Sequence, residues 1–333
     1  MTFSILTDGA ALMTASASEF KHSMAKGFDI RVAHFGRDLM CYSPTAYPYR
    51  IRDHSQSNRS SFVSFSVTGT SCALKCEHCG GRLLHSMEPA KTPDSLVRKC
   101  RILKEHGAEG VLISGGSDSA GHVPIDKYAD AIQTIKRDLG LKVVVHTGLV
   151  GEGTAKSLAL AHVDAAMLDI IGDERVATAV YHVQDGPERT EKSLIMLERQ
   201  GIPVVPHILV GLNYGRLGGE LEALQMISSR KPAAVVFIVF SPIRGTIMGH
   251  FLPPPAEVVG RLLTIARLGL QSTPILLGCA RPMGQHKIES DILAVRCGIN
   301  GIAYVSQEGV DAARRVGLSP VFRDICCSLI YQE

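Results

Sequence analysis

The run SVTGTSCALKCEHCGG, residues 66–81, puts Cys72, Cys76 and Cys79 on one short loop behind the apolar stretch FVSFSV. The spacing is C-x3-C-x2-C. A closed structural zinc site takes four protein ligands, and so does an iron–sulfur cluster held wholly by protein. Three thiolates at this spacing can each take one iron of a cubane cluster and leave the fourth iron open to bind and reduce a substrate. A zinc half-site that borrows a fourth cysteine is the competing reading, and a chance cluster the bland one.

FVSFSV opens a rhythm that continues through GVLISG, KVVVHT, AAMLDI, VVPHILV, AAVVFIVF, PILLG and GIAYVS. These runs are apolar and rich in β-branched residues, as parallel strands buried on both faces should be. Helical patterns such as SLVRKCRILKEHG and AEVVGRLLTIARLG alternate with them, and Gly107, Gly140, Gly201, Gly269 and Gly298 close helices before the next strand. Eight strand–helix units predict an α/β fold, a (β/α)8 TIM-type barrel. A doubly wound open sheet is the alternative. The barrel is expected over residues 61–317, behind an N-terminal extension (1–60) and ahead of a C-terminal tail (318–333). In the extension, LMTASASEFKHSMAKGF reads as a helix and FDIRVAHF as an edge strand, and the whole is placed to fold over the barrel mouth.

In such a barrel the loops after the strand C-termini build the site. The cysteine loop, Gly115-Gly116-Ser117-Asp118, His146, Asp169, His207, Leu209, Gly211, Arg244, Cys279 and Arg281 all fall on that face. Arg244 and Arg281 suit an acid or carbonyl group, or equally a rim ion pair. His146 and His207 suit the cavity wall, although a satisfied core histidine is the commoner outcome. Cys100 and Cys297 read as buried packing. That leaves Cys41, Cys279 and the vicinal pair Cys326 and Cys327 for a possible second cluster, with Cys41 and Cys279 as the safest ligands.

Bulk properties narrow the class. Net charge is +3, tryptophan is absent and aromatics are 5%. This argues against a nucleic-acid partner and suits at most an acidic electron carrier. No apolar run is long enough to span a bilayer, and the first twenty residues lack a cationic n-region, so no membrane role is expected. Nine cysteines, an odd count in a long chain, point to a reducing cytoplasm and to thiols used as metal ligands or small hydrophobes.

The loop SVTGTSCALKCEHCGGRLL resembles the cluster-binding loop of the radical S-adenosylmethionine (radical SAM) enzymes, with LLGCARPMG and ESDILAVRCGINGIAY similar to segments of the biotin synthase and lipoyl synthase branch. The resemblance covers the barrel portion and is nearest to the biotin-synthase-like components of two-protein lipoyl synthases. It implies a [4Fe-4S] cluster on Cys72, Cys76 and Cys79. It also implies S-adenosylmethionine held by His78, Gly115, Gly116, Ser117 or Asp118, Asp169, Leu209 and Gly211. Here Ser-Asp replaces the glutamate that usually follows the two glycines. The implied reaction is sulfur insertion into an octanoyl chain, begun by a 5′-deoxyadenosyl radical and fed by a sacrificial auxiliary Fe-S cluster. Implied partners are an octanoylated carrier protein, a second radical SAM subunit and a ferredoxin- or flavodoxin-type donor. Sulfur insertion into another small substrate, a radical mutase or methylating enzyme, and a non-enzymatic metal-binding protein are the alternatives.

Overall fold

The computed structural model describes residues 3–45, 47–56 and 58–333. Its strands are β1 (Asp38–Tyr42), β2 (Phe62–Ser66), β3 (Glu88–Pro89), β4 (Gly110–Ser114), β5 (Lys142–His146), β6 (Ala165–Asp169), β7 (Val204–Val210), β8 (Val235–Val239), β9 (Ile275–Leu277), β10 (Gly301–Ala303) and β11 (Ser319–Arg323). They form one parallel sheet in the order β11-β1-β10-β9-β8-β7-β6-β5-β4-β2-β3. The eight expected strands are β2 and β4–β10, side by side in chain order with helices between them. Three further strands join the edges, and no hydrogen bonds link β3 to β11 among the described residues, so the barrel is open.

A strand's side chains alternate faces, so parity decides what reaches the interior. Val143 and Val145, Ala166 and Leu168, Ile208 and Val210 pack outward in the large layer shared with the helices. Val144, Ala165, Met167, Val205 and Val236 point inward. The same parity sends His146, Asp169, His207 and Leu209 into the barrel, where all four line its cavity.

Both terminal segments are woven into the sheet. The helix Ala17–Phe35 contains FDIRVAHF, which therefore is not a strand. Its buried face runs through Phe20, Gly27 and Arg31, a helical spacing. Ser16 and Glu19 cap its start with a reciprocal capping box, which splits the expected helix in two. β1 then inserts between β10 and β11. At the other end, the chain leaves β11 and turns inward. Cys327, Leu329 and Ile330 join the inner layer with Met40, Tyr42, Phe62 and Val144. Lys142 Nζ reaches Gln332 Oε1 at 2.8 Å, and Tyr331 donates its hydroxyl to the Asp164 carbonyl. The tail thus plugs the barrel at the N-terminal ends of its strands.

Asp291 is wholly buried and accepts from Arg281 (2.9 Å), Lys287 (3.1 Å) and the Ser306 backbone N–H (2.6 Å). Asp291→Ala strands two cations and is expected to cost about 3–5 kcal/mol of stability, read by urea unfolding.

Candidate active site

A cavity of ≈ 680 Å3 occupies the barrel interior. Cys72, Cys76 and Cys79 stand on its wall, on the loop that follows β2. Backbone bonds pin that loop from three sides. Ala73 N–H donates to the Ser117 carbonyl (2.8 Å), Glu77 N–H to the Val180 carbonyl (2.9 Å), and Met248 N–H to the Glu77 carbonyl (3.1 Å). The Tyr214 hydroxyl adds a bond to Glu77 Oε2 at 2.6 Å. A hydrogen bond between the Cys76 and Cys79 thiols, with His78 beside them, favours the thiolate on Cys79 and holds the proton on Cys76.

The glycines after β4 explain their own identity. A Cβ on Gly116 would lie 2.0 Å from the Ser71 carbonyl oxygen and 2.6 Å from Cys72 Cβ. Gly116 N–H donates to Thr68 Oγ1 at 2.7 Å. No side chain fits there, so backbone is what a bound molecule meets beside the cysteine loop. Ser117 lines the cavity. Asp118 does not: it is exposed, and its Oδ1 accepts from Ala120 and His122 N–H, both at 2.9 Å, capping its own turn. Of the two residues that replace the usual glutamate, only Ser117 faces the site.

His78 lies 5.2 Å, ring to ring, from Tyr181, and its buried Nδ1 has no partner among the described residues. Tyr181 donates to Asp169 Oδ2 at 2.9 Å, and His146 Nε2 stands 3.5 Å from Asp169 Oδ1. Burial alone would raise the Asp169 carboxyl, but His146, His207 and Tyr181 outweigh it and hold it well below the carboxylate range. Burial and the neighbouring His146 charge bring His207 down to about 4, so its imidazole is neutral. Its Nδ1 donates to the Val205 carbonyl at 3.0 Å. Tyr181 ends a π-helical turn, Ala177–Tyr181, and sequence periodicity gave no sign of it.

Several expected site residues lie elsewhere. Gly211 is structural: its N–H donates to Glu220 Oε1 at 2.8 Å, and Pro254 Cδ is 2.6 Å from where a Cβ would be. Arg244 is exposed outside the cavity wall. Arg281 lines the wall, but its guanidinium is buried against Asp291 and the Gly278 and Tyr304 carbonyls. Cys41 shares the parity of Leu39 and packs outward with the helices, whereas Met40 and Tyr42 face in. It cannot reach the cavity. Cys41→Ala is expected to leave iron content unchanged and to cost roughly 1 kcal/mol of stability, measured by metal analysis and urea unfolding. Cys279, Cys326 and Cys327 do line the cavity. Cys100 and Cys297 are buried outside it, as expected.

The family model for the Radical SAM superfamily matches residues 66–215, from β2 past β7, and places that segment in the superfamily. That match covers a little under half of the chain. Among curated proteins it is 24% identical over 227 residues to the 3-methylornithine synthase of Methanosarcina barkeri, covering 66% of this chain and 63% of that protein. It is 23% identical over 304 residues to the biotin synthase of Leptospira biflexa, covering 89% and 79%. The chain thus spans under two thirds of the length of the Methanosarcina relative. A crystal structure of methylornithine synthase superposes with TM-score 0.66 at 16% identity, over 97% of this chain and 95% of that one. The hydrogenase maturase HydG superposes with the same TM-score, 16% identity and coverage of 97% and 72%. These solved structures share the fold.

The match over residues 66–215 points to a [4Fe-4S] cluster and S-adenosylmethionine, and the residues of that segment suit both. The three thiols of one pinned loop suit a cluster with an open iron, and the bare Gly115-Gly116 backbone beside them leaves room for the nucleoside cofactor. When bound, the pair supplies the electron and the sulfonium whose cleavage yields a 5′-deoxyadenosyl radical. The protein's part is to hold the ligands and keep water from the cavity. Among the described residues no helix is long and apolar enough to cross a membrane.

Proposed function

We propose that this chain inserts sulfur into an unactivated carbon of an aliphatic acyl chain, an octanoyl group on a carrier-protein lysine, in lipoyl cofactor assembly. One observation carries the reading. Cys279, Cys326 and Cys327 face the same cavity as the radical-generating loop. Rearrangement or methylation alone does not call for a second set of thiols, whereas sulfur insertion does. An auxiliary cluster on those thiols would supply the sulfur. Leu74, Val123, Leu149, Leu209 and Ile238 give the wall an apolar lining suited to a hydrocarbon chain. The C-terminal plug shuts the floor against water, which a carbon-centred radical and a labile cluster both require.

The rim supports a protein-borne substrate. Residues 78–87, 240–256 and 278–288 contain no Asp or Glu. They carry exposed Leu83, Ile247, Leu252 and Met283 beside the exposed cations Arg82 and Arg244. An acidic carrier domain fits such a surface. A second radical SAM subunit for the other insertion and a ferredoxin- or flavodoxin-type donor belong to the same reading.

Similarity to the methylornithine synthases favours a second reading, rearrangement of an amino-acid carbon skeleton. The two separate on product analysis. Anaerobically reconstituted protein with S-adenosylmethionine and reductant is offered octanoyl-lysine peptide, dethiobiotin or lysine. Thiolated octanoyl peptide is the expected product. Rearranged lysine, with no thiolated product, defeats the proposal.

A further inference from the structure

We propose that the rim beside the cysteine loop, built from Arg82, Leu83, Arg244 and Ile247, is the docking surface of the electron donor, a small acidic one-electron carrier of the flavodoxin type; this rests on the cysteine loop as the radical-initiating centre and not on sulfur insertion.

Reducing power must reach the three thiols from outside, and electron transfer falls off steeply with distance. Arg82 stands three residues after Cys79, a span of at most about 11 Å. Its N–H donates to the Cys79 carbonyl at 2.8 Å. It opens the helical turn Arg82–Ser86, which leaves Leu83 53% exposed. The loop after β8 lies against this turn. Arg82 Nη2 donates to the Gly245 carbonyl at 3.2 Å, and Thr246 Cγ2 is 3.8 Å from where a Cβ on Gly80 would be. Met248 N–H donates to the Glu77 carbonyl at 3.1 Å. Ile247, 59% exposed, and the exposed Arg244 therefore border the cysteine loop as well. Gly80 is itself exposed, so the backbone beside Cys79 is open to a partner.

Charge selects that partner, because the two flanks of the cysteine loop differ. On one flank, residues 173–188 hold four carboxylates against one arginine, and Glu174, Asp185 and Glu188 are exposed. Glu77 N–H ties the loop to this flank at the Val180 carbonyl, 2.9 Å away. On the other flank, residues 78–87 and 240–256 hold Arg82 and Arg244 and no carboxylate. An acidic protein is repelled by the first flank and steered to the second. Leu83 and Ile247 supply apolar contact between the cations there. The donor gives one electron to the site on the loop and is itself oxidised by one; no bond forms or breaks in the transfer. An acyl-bearing domain on the same rim then alternates with the donor rather than binding beside it.

The test uses the full chain, reconstituted anaerobically, beside two double variants: Arg82→Glu with Arg244→Glu, and Arg82→Lys with Arg244→Lys. Formation of 5′-deoxyadenosine is driven either by reduced flavodoxin or by dithionite, a small reductant that needs no docking. In the Glu variant the flavodoxin-driven rate is expected to fall more than about tenfold relative to the dithionite-driven rate of the same protein, whereas the Lys variant keeps most of it. Isothermal titration with flavodoxin reads docking directly. Its affinity is expected to fall in the Glu variant and, for the native chain, with rising salt. A Glu variant that loses both rates equally, or neither, overturns the assignment, as does flavodoxin binding that ignores the charge reversal. Cleavage of S-adenosylmethionine precedes any sulfur step. A native chain that responds as expected yet forms no thiolated octanoyl peptide therefore defeats the sulfur-inserting reading alone.

Discussion

Replacing Cys76 with alanine is expected to abolish reductive cleavage of S-adenosylmethionine, with 5′-deoxyadenosine formation falling more than about 100-fold. Losing only an outer partner of a metal ligand already costs about 10–100-fold, and Cys76 would be a ligand itself. It is also the most buried of the three thiols, and its loop is pinned at Ala73 and Glu77. No other cysteine can move into its place: Cys41 and Cys100 point into the helix layer, and Cys279 sits beyond β9 with the tail cysteines. The variant is expected to stay folded, since the backbone bonds that hold the loop do not involve the thiol. Chromatographic quantitation of 5′-deoxyadenosine under dithionite checks it. Retained cleavage would mean that the loop does not hold the initiating cluster.

The second large effect separates the two halves of the reaction. Cys279→Ala, or Cys326→Ala with Cys327→Ala, is expected to leave 5′-deoxyadenosine formation measurable while thiolated product falls more than about 100-fold. The cysteine loop and the tail belong to different packing groups: Cys76 clusters with Leu74 and Val183, and Cys327 with Tyr42, Phe62 and Leu329. Damage at one therefore need not spread to the other. Equal loss of both activities in all of these variants would show that the tail thiols act only through folding.

Much of the scaffold was legible because it is written locally. Val143, Val144 and Val145, or Val235, Val236 and Phe237, announce strands buried on both faces. The motif after each strand then falls on one face by topology alone. The cysteine loop needed no structure to be noticed. What stayed hidden depended on distant partners. β1 is five residues long, and its neighbours β10 and β11 lie some 260–280 positions away in sequence; no local pattern reports such a pairing. Once DLMCY is a strand, its pleat turns Cys41 outward, so the second-cluster expectation failed at that residue for a reason of parity. The helix Ala17–Phe35 was misread where FDIRVAHF alternates by chance. The S-x-x-E box at Ser16 and the spacing of Phe20, Gly27 and Arg31 carried the correct signal. Asp118 likewise had a local explanation, an aspartate closing its own turn before Gly121. The inward course of the tail beyond Arg323 had none, because it follows from what the floor of the barrel lacks.

On the proposed reading, one cavity makes a radical at its cysteine loop and ends it on sulfur from the tail thiols. It is tested most directly by reconstituting the protein with heavy-isotope sulfide and running a single anaerobic turnover on octanoyl-lysine peptide. Mass spectrometry of the peptide then reads the origin of any sulfur gained. One heavy sulfur per product molecule is expected, with 5′-deoxyadenosine formed alongside. Cleavage of S-adenosylmethionine with no sulfur in the peptide, or with sulfur only of natural isotope, would contradict it.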